Sequence, residues 1–172
     1  MLKCISEKIK EAAEKAKPDL IFTIGIPGSG KSWWIKNMLG YEVVSPDNIR
    51  SELSDISDQS VDVQAWATAK ERTAEYLKQG KDVILDATNL TPTGRSSSAD
   101  RKNFIKDLPP HNLKAKIFDI DPETAKKRIK EDIAKGRSRS NVPEDVVDRM
   151  YEDFKKTVHG GMLKAEGFEI IT

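Results

Sequence analysis

Eight residues, Gly25-Ile26-Pro27-Gly28-Ser29-Gly30-Lys31-Ser32, constrain this chain more than any other stretch. They match the G-x-x-x-x-G-K-[ST] spacing of a phosphate-binding P-loop. The apolar run before them, Leu20 to Ile24, reads as a buried strand, and the residues from 31 to about 39 can start a helix. That strand–loop–helix context separates a phosphate cradle from a Gly/Ser-rich turn with a surface lysine. Glycines at 25, 28 and 30 let the backbone take positive φ and bring its N–H groups against phosphate oxygens. The helix start adds donors without partners and a partial positive charge. Lys31 supplies a mobile full charge for β- and γ-phosphates, Ser32 a hydroxyl for Mg²⁺, and Pro27 and Ser29 complete the nucleotide-binding loop.

A chain of 172 residues suits one domain with a sizeable core and leaves little room for a second. Charged residues make up 33% but balance at net +1, so no global basic field advertises nucleic acid. An acceptor touched at only a few phosphates remains compatible with that balance. The single Cys4 cannot form an internal disulfide, as suits a reducing cytoplasm. No apolar run approaches the roughly 20 residues of a membrane span. The first 17 residues interleave Lys and Glu with Leu2, Ile5, Ile9, Ala12, Ala13 and Ala16. This spacing predicts an amphipathic helix docked on the body and stopped near Pro18, with the domain proper over 18–172.

Further along, Tyr41 to Val44 reads as a short strand, and Ser45-Pro46-Asp47 as a helix start with cap, N1 proline and first-turn acid. Residues 54 to 60 are polar and turn-rich, a loop over one side of the site. A long helical pattern through Val61, Trp66, Ala69 and Leu77 ends near Gly80. Val83 to Asp86 is a second apolar strand, ending in a carboxylate; loop follows over 87–92 and helix over 96–106. A strand over 113–118, a basic helix over 122–134, a Gly/Ser/Arg loop over 135–141, a helix over 143–158 stopped by Gly160-Gly161, and a strand over 168–171 complete the chain. Strands alternating with helices imply an α/β fold, a parallel central sheet with helices on both faces. Ligands bind beyond the carboxyl ends of such strands. The P-loop, Asp47, Asp86 and Asn89 all follow strand ends, so they converge on one rim.

Asp47 and Arg50 lie three apart at a helix start and share a face. Elsewhere this would be a helix-dipole acid with its ion-pair partner. After the strand that follows a P-loop it suggests a base that accepts the proton of an attacking hydroxyl, and a fork for an anionic group on the acceptor. Asp86 stands where P-loop enzymes keep a Mg²⁺-positioning carboxylate, though it could equally serve only to fix the loop. Asn89 suits a cap of the following turn as well as a site role. Arg137 and Arg139 sit on a Gly/Ser loop between two helices, where one guanidinium could fold onto donor phosphates; spacing alone does not choose between them. Trp33, Trp34 and Trp66 read as core or interface aromatics, with base stacking the lesser reading. His111 and His159 have no ligand spacing around them, and Asp119-Ile120-Asp121 closes a strand before Pro122 starts a helix.

In order along the chain, the P-loop, Ser45-Pro46-Asp47-Asn48-Ile49-Arg50, Leu85-Asp86-Ala87-Thr88-Asn89-Leu90 and the stretch from Arg137 to Pro143 resemble the kinase domain of bacteriophage-type polynucleotide 5′-hydroxyl kinases. The likeness runs from about residue 20 to residue 154, and reaches the wider group of small P-loop kinases that phosphorylate antibiotics, sugars or nucleotide sugars. It implies an adenylate-kinase-like fold with a helical lid around 122–158, ATP and Mg²⁺ as cofactors, and transfer of the γ-phosphate to a 5′-OH of DNA or RNA. It implies Asp47 as general base and Arg50 as clamp on the acceptor's 3′-side phosphate. It also implies a lid arginine on the donor phosphates, and aligning back from Val142-Pro143 selects Arg137. Trp33 departs from the pattern, which commonly has a small hydroxyl residue after the P-loop serine. The family's separate phosphatase or ligase domains have no counterpart here, so the resemblance implies a stand-alone kinase. Two other functions fit parts of the sequence. A small-molecule kinase of the same fold would account for the lack of a basic surface. A non-catalytic ATP-binding switch would account for Trp33 and the N-terminal helix but leave Asp47 without a task.

Overall fold

The computed structural model describes residues 5–9, 12, 16–53, 59–90, 100–137 and 141–172. Its strands are β1 (Asp19–Ile24), β2 (Glu42–Val44), β3 (Val83–Leu85), β4 (Asn112–Ile117) and β5 (Glu169–Ile171). They form one five-stranded sheet in the order β2-β3-β1-β4-β5, with every neighbouring pair parallel. The α/β architecture read from the sequence is therefore the observed one. The central strand explains why. Leu20, Phe22 and Ile24 face one side and Ile21 and Thr23 the other, by the two-residue period of a strand. All five are at most 1% exposed, so both faces of the sheet are covered.

The helices are α1 (Lys31–Lys36), α2 (Pro46–Leu53), α3 (Gln59–Lys78), α4 (Arg101–Ile105), α5 (Pro122–Ala134), α6 (Glu144–Phe154) and α7 (Met162–Ala165). Helix α3 shows how a weakly apolar sequence still buries one edge. Val61, Ala65, Ala69, Thr73 and Leu77, spaced four apart, are its buried stripe, and the two alanines let its backbone approach closely. Phe22 meets Phe104 edge-on at 5.8 Å and Phe168 at 5.2 Å, which ties β1 to α4 and to the chain before β5. Each such buried ring contributes about 1.5–3 kcal/mol over leaving it in water.

Several boundaries differ from the sequence reading. Residues 59 and 60 belong to α3 rather than to a loop, and residues 54–58 lie outside the described residues. The helix expected over 96–106 is seen as α4, begun by Asp100, whose carboxylate accepts from the Lys102 backbone N–H at 2.9 Å. Its earlier part, within 91–99, lies outside the described residues. The helix expected over 143–158 is α6 continued by a π-helical turn over Lys155–His159, where the Thr157 hydroxyl donates to the Leu90 carbonyl. The N-terminal segment is helical over residues 5–9, but Ile5 is 50% and Ile9 64% exposed. The expected docking on the body is not what the structure shows there. An amphipathic pattern encodes a helix and an apolar stripe, not what covers the stripe.

Candidate active site

Parallel pairing of every strand puts all the strand C-termini on one edge, and the P-loop leaves β1 at the middle of it. This is the point where β3 and β4 diverge to opposite sides of β1, the crevice in which open α/β sheets take ligands. Gly28 and Gly30 adopt φ of 85° and 101°, the left-handed region the sequence reading assigned them. A Cβ on Gly28 would also lie 2.7 Å from the Ala125 carbonyl of α5. Gly25 does a different job from the one expected of it. It has no positive φ; a side chain there would meet Ser29 Oγ at 2.7 Å and Phe118 Cβ at 3.0 Å. Its N–H donates to the Thr88 carbonyl at 3.3 Å, so it anchors the back of the loop.

Lys31 Nζ lies across the loop it cradles, donating to the carbonyls of Gly25 at 2.8 Å and Ile26 at 2.9 Å. A phosphate placed there exchanges neutral acceptors for charged ones, which form the stronger hydrogen bonds. A cavity of about 1250 Å³ opens beside the loop, lined among others by Gly28, Ser32, Trp33, Phe118, Arg128 and Arg137. Of the expected nucleotide-binding residues, Gly28, Ser29, Gly30, Ser32 and Arg137 line it, whereas Gly25, Pro27 and Lys31 do not. Arg128 of α5 also approaches the loop, its Nη1 3.5 Å from the Gly28 carbonyl. Arg137 pairs with Asp132 at 2.9 Å and is 66% exposed. Arg139 lies outside the described residues.

The tryptophans separate. Trp66 packs edge-on against Phe104 at 5.9 Å and Trp34 against Phe118 at 5.7 Å, as aromatics of a core or its margin do. Trp33 is 73% exposed on the cavity wall, so it is not a core residue. Adjacent positions on a helix point about 100° apart, so one indole can be covered while the next is not.

The second half of the site stands on α2. Asp47 is 79% exposed, and its Oδ1 accepts from Arg50 Nη1 at 2.8 Å. Arg50 is also held by Asp62 of α3, whose Oδ1 accepts from Nε at 2.9 Å and from Nη2. Burial works against the Arg50 charge, but the Asp62 and Asp47 carboxylates more than offset it and raise its pKa. Asp62 was missed in the sequence because its partner is twelve positions away on another helix. Asp86, just beyond β3, links the two halves. Burial raises its pKa, the Lys31 charge lowers it, and the Asp47 charge raises it again. The Lys31 and Asp47 charges thus act on the Asp86 carboxylate with opposite sign. Lys31, Asp47 and Asp86 do not line the large cavity.

Asn89 turns out to be scaffold. It is 7% exposed, takes φ of 50°, and its Nδ2 donates to the Thr23 carbonyl at 2.8 Å. Its own carbonyl accepts from Arg101 Nη1 at 2.7 Å, and Arg101 forks onto Glu166 with two bonds of 2.7 Å. Asp121 caps α5 through the Thr124 N–H at 2.9 Å, in keeping with its place before Pro122. His159 faces Asp119 at 3.3 Å.

A family model described as an AAA domain, AAA_33, matches residues 20–157. A protein of Acanthamoeba polyphaga mimivirus assigned as a bifunctional polynucleotide phosphatase/kinase is 28% identical over 113 residues, 64% of this chain and 23% of that one. A chain of the Pnkp1/Rnl/Hen1 RNA repair complex superposes with a TM-score of 0.67 at 20% identity, over 84% of this chain and 46% of that chain. A structure assigned as a kinase of Chloroflexus aurantiacus J-10-fl superposes with a TM-score of 0.59 at 20% identity, over 77% of this chain and 75% of that chain. The fold is thus that of an α/β P-loop kinase. The chain spans about a quarter of the length of the viral relative and under half of the repair-complex chain.

Proposed function

We propose, from the premise that this chain belongs to the AAA_33 family of AAA domains, that it is an ATP-dependent polynucleotide kinase transferring the γ-phosphoryl group to the 5′-hydroxyl of a DNA or RNA end. The observation that carries the reading is the Asp47–Arg50 pair at the strand-end rim, electrostatically coupled through Asp86 to the P-loop lysine. A nucleotide cradle alone would fit a switch; a base and a cationic fork opposite it give an acceptor somewhere to sit. The likeness to the viral polynucleotide phosphatase/kinase supports a nucleic-acid end over a small alcohol.

In this reading Lys31 and the P-loop hold the β- and γ-phosphates, and Arg137 comes onto the donor from the α5–α6 side. Asp47 has one carboxylate oxygen engaged by Arg50, and among the described residues nothing meets the other. That oxygen receives the hydroxyl proton as the new O–P bond forms and the bond from Pγ to the departing ADP oxygen breaks. The products are ADP and a 5′-phosphate monoester. Proton transfer can lag behind in a loose transition state, so a carboxylate is base enough and its aim matters as much as its strength. Arg50 grips the 3′-side phosphate of the acceptor. The donor set also fits a divalent cation: the Ser32 hydroxyl stands at the loop, and Asp86 is a desolvated carboxylate that a cation would relieve. When bound, Mg²⁺ would neutralise charge on the donor phosphates, held by Ser32 and Asp86. The reading includes a cytoplasmic setting, and no described helix is long and apolar enough to cross a membrane.

The test is incubation with γ-labelled ATP, Mg²⁺ and 5′-OH oligonucleotides beside a panel of sugars, nucleosides and aminoglycosides. Label on the oligonucleotide 5′ end is the expected result. Label on a small alcohol with none on the oligonucleotide would make this a small-molecule kinase, and ATP binding without any product would make it a switch.

A further inference from the structure

We propose that Asp62, at the start of α3, is a positioning residue for the acceptor: it fixes the Arg50 guanidinium so that one edge stays open for a phosphate. This rests on the reading of Arg50 as the acceptor clamp. A guanidinium carries five N–H donors in a plane. Asp62 Oδ1 takes the Nε donor at 2.9 Å and one from Nη2, and Asp47 Oδ1 takes one from Nη1 at 2.8 Å. Two donors remain, one on each terminal nitrogen, and such a pair of guanidinium N–H groups can receive a phosphate.

The arrangement also protects the base. An arginine three residues from a single carboxylate on a helix can turn its fork onto both oxygens of that carboxylate. Asp62 prevents this by holding the Nε/Nη2 edge, so Arg50 reaches Asp47 with Nη1 alone and one Asp47 oxygen stays available. Arg50 is 27% and Asp62 45% exposed in their side chains, so this is a half-buried tie between two helices rather than a loose surface contact. Asp62 itself stays out of the reaction: among the described residues its carboxylate engages Arg50.

The experiment compares two acceptors, a nucleoside and the corresponding nucleoside 3′-phosphate, in the wild type and in Asp62→Ala, Asp62→Glu, Arg50→Ala and the Asp62→Ala/Arg50→Ala double variant. Losing a charge-assisted tie should cost roughly 10- to 100-fold in kcat/KM toward the 3′-phosphate. The KM for ATP should stay at the wild-type value, which also reports that the variant is folded. Asp62→Glu should recover part of the loss, and Asp62→Ala should add nothing once Arg50 is gone. A full-strength Asp62→Ala enzyme overturns the inference while leaving the kinase reading intact. So does an Asp62→Ala defect that adds to that of Arg50→Ala. A wild-type enzyme indifferent to the 3′-phosphate overturns both the inference and the clamp it rests on.

Discussion

Two regions meet at the strand ends, a buried root that fixes the P-loop and an exposed rim that would handle the two substrates. The root is a chain of bonds with almost no water in reach. Glu166 takes the Arg101 fork, Arg101 holds the Asn89 carbonyl, and Asn89 holds the Thr23 carbonyl two residues before Gly25. Arg101 is only 1% exposed, and the Thr23 hydroxyl adds a bond to the Ala87 carbonyl at 3.0 Å. The rim is built from ion pairs that solvent shares, with Asp47 at 79% and Arg137 at 66% exposure. Exposed pairs are worth about 0–1 kcal/mol, whereas breaking a buried pair costs about 3–5 kcal/mol. Rigidity is thus concentrated where geometry must not change. Weak, exchangeable contacts sit where, in the proposed function, substrate groups would displace them.

The contrast breaks if a rim substitution damages the fold, or if a root substitution damages only the chemistry. Arg137→Ala should have the largest effect, lowering kcat roughly 10³-fold or more while the thermal midpoint barely moves. A midpoint that falls in step with kcat would put Arg137 in the scaffold. Asp47→Asn should lower kcat by about 10²–10⁴ with a stability change under about 1 kcal/mol, read by single-turnover labelling beside a urea titration. Unimpaired turnover would remove Asp47 from the chemistry. At the root, Arg101→Ala should cost about 3–5 kcal/mol in urea unfolding, because it strands Glu166 and frees the Asn89 carbonyl. A loss below about 1 kcal/mol would mean the network does not hold the root.

The smallest effect is expected at the junction of the two regions. Burial holds the Asp86 pKa above its ordinary 3.8, so between the two values the folded chain carries more protons than the unfolded one. Stability therefore falls as pH rises through that window, and Asp86→Asn should raise the melting point at pH 7 without ligand. The gain should disappear below pH 3.8, where both states are protonated, while binding of the Mg²⁺–nucleotide weakens. A melting point that drops at pH 7 would show that the carboxylate is stabilised by its surroundings.

How legible the site was depends on how local each interaction is. The eight-residue loop carried its own geometry: a strand before it, a helix after it, and glycines at 28 and 30 where φ must be positive. Asp47 and Arg50 were readable because three residues along a helix bring side chains together whatever surrounds them. The α/β class followed from the alternation of apolar runs and amphipathic stretches. The order β2-β3-β1-β4-β5 then put every strand-end residue on the same edge.

Sequence alone thus settled the P-loop, the fold class and the acid–arginine pair, since each is encoded within a few neighbouring residues. Only the tertiary structure decided that Asp62 completes the grip on Arg50, that Glu166 reaches Arg101 across 65 positions, and that Asn89 is scaffold. It also decided that Trp33 faces the cavity while Trp34 packs on Phe118. Those outcomes depend on which distant segments the folded sheet brings side by side. Local spacing fixes direction along a helix or strand but says nothing about what waits on the other side.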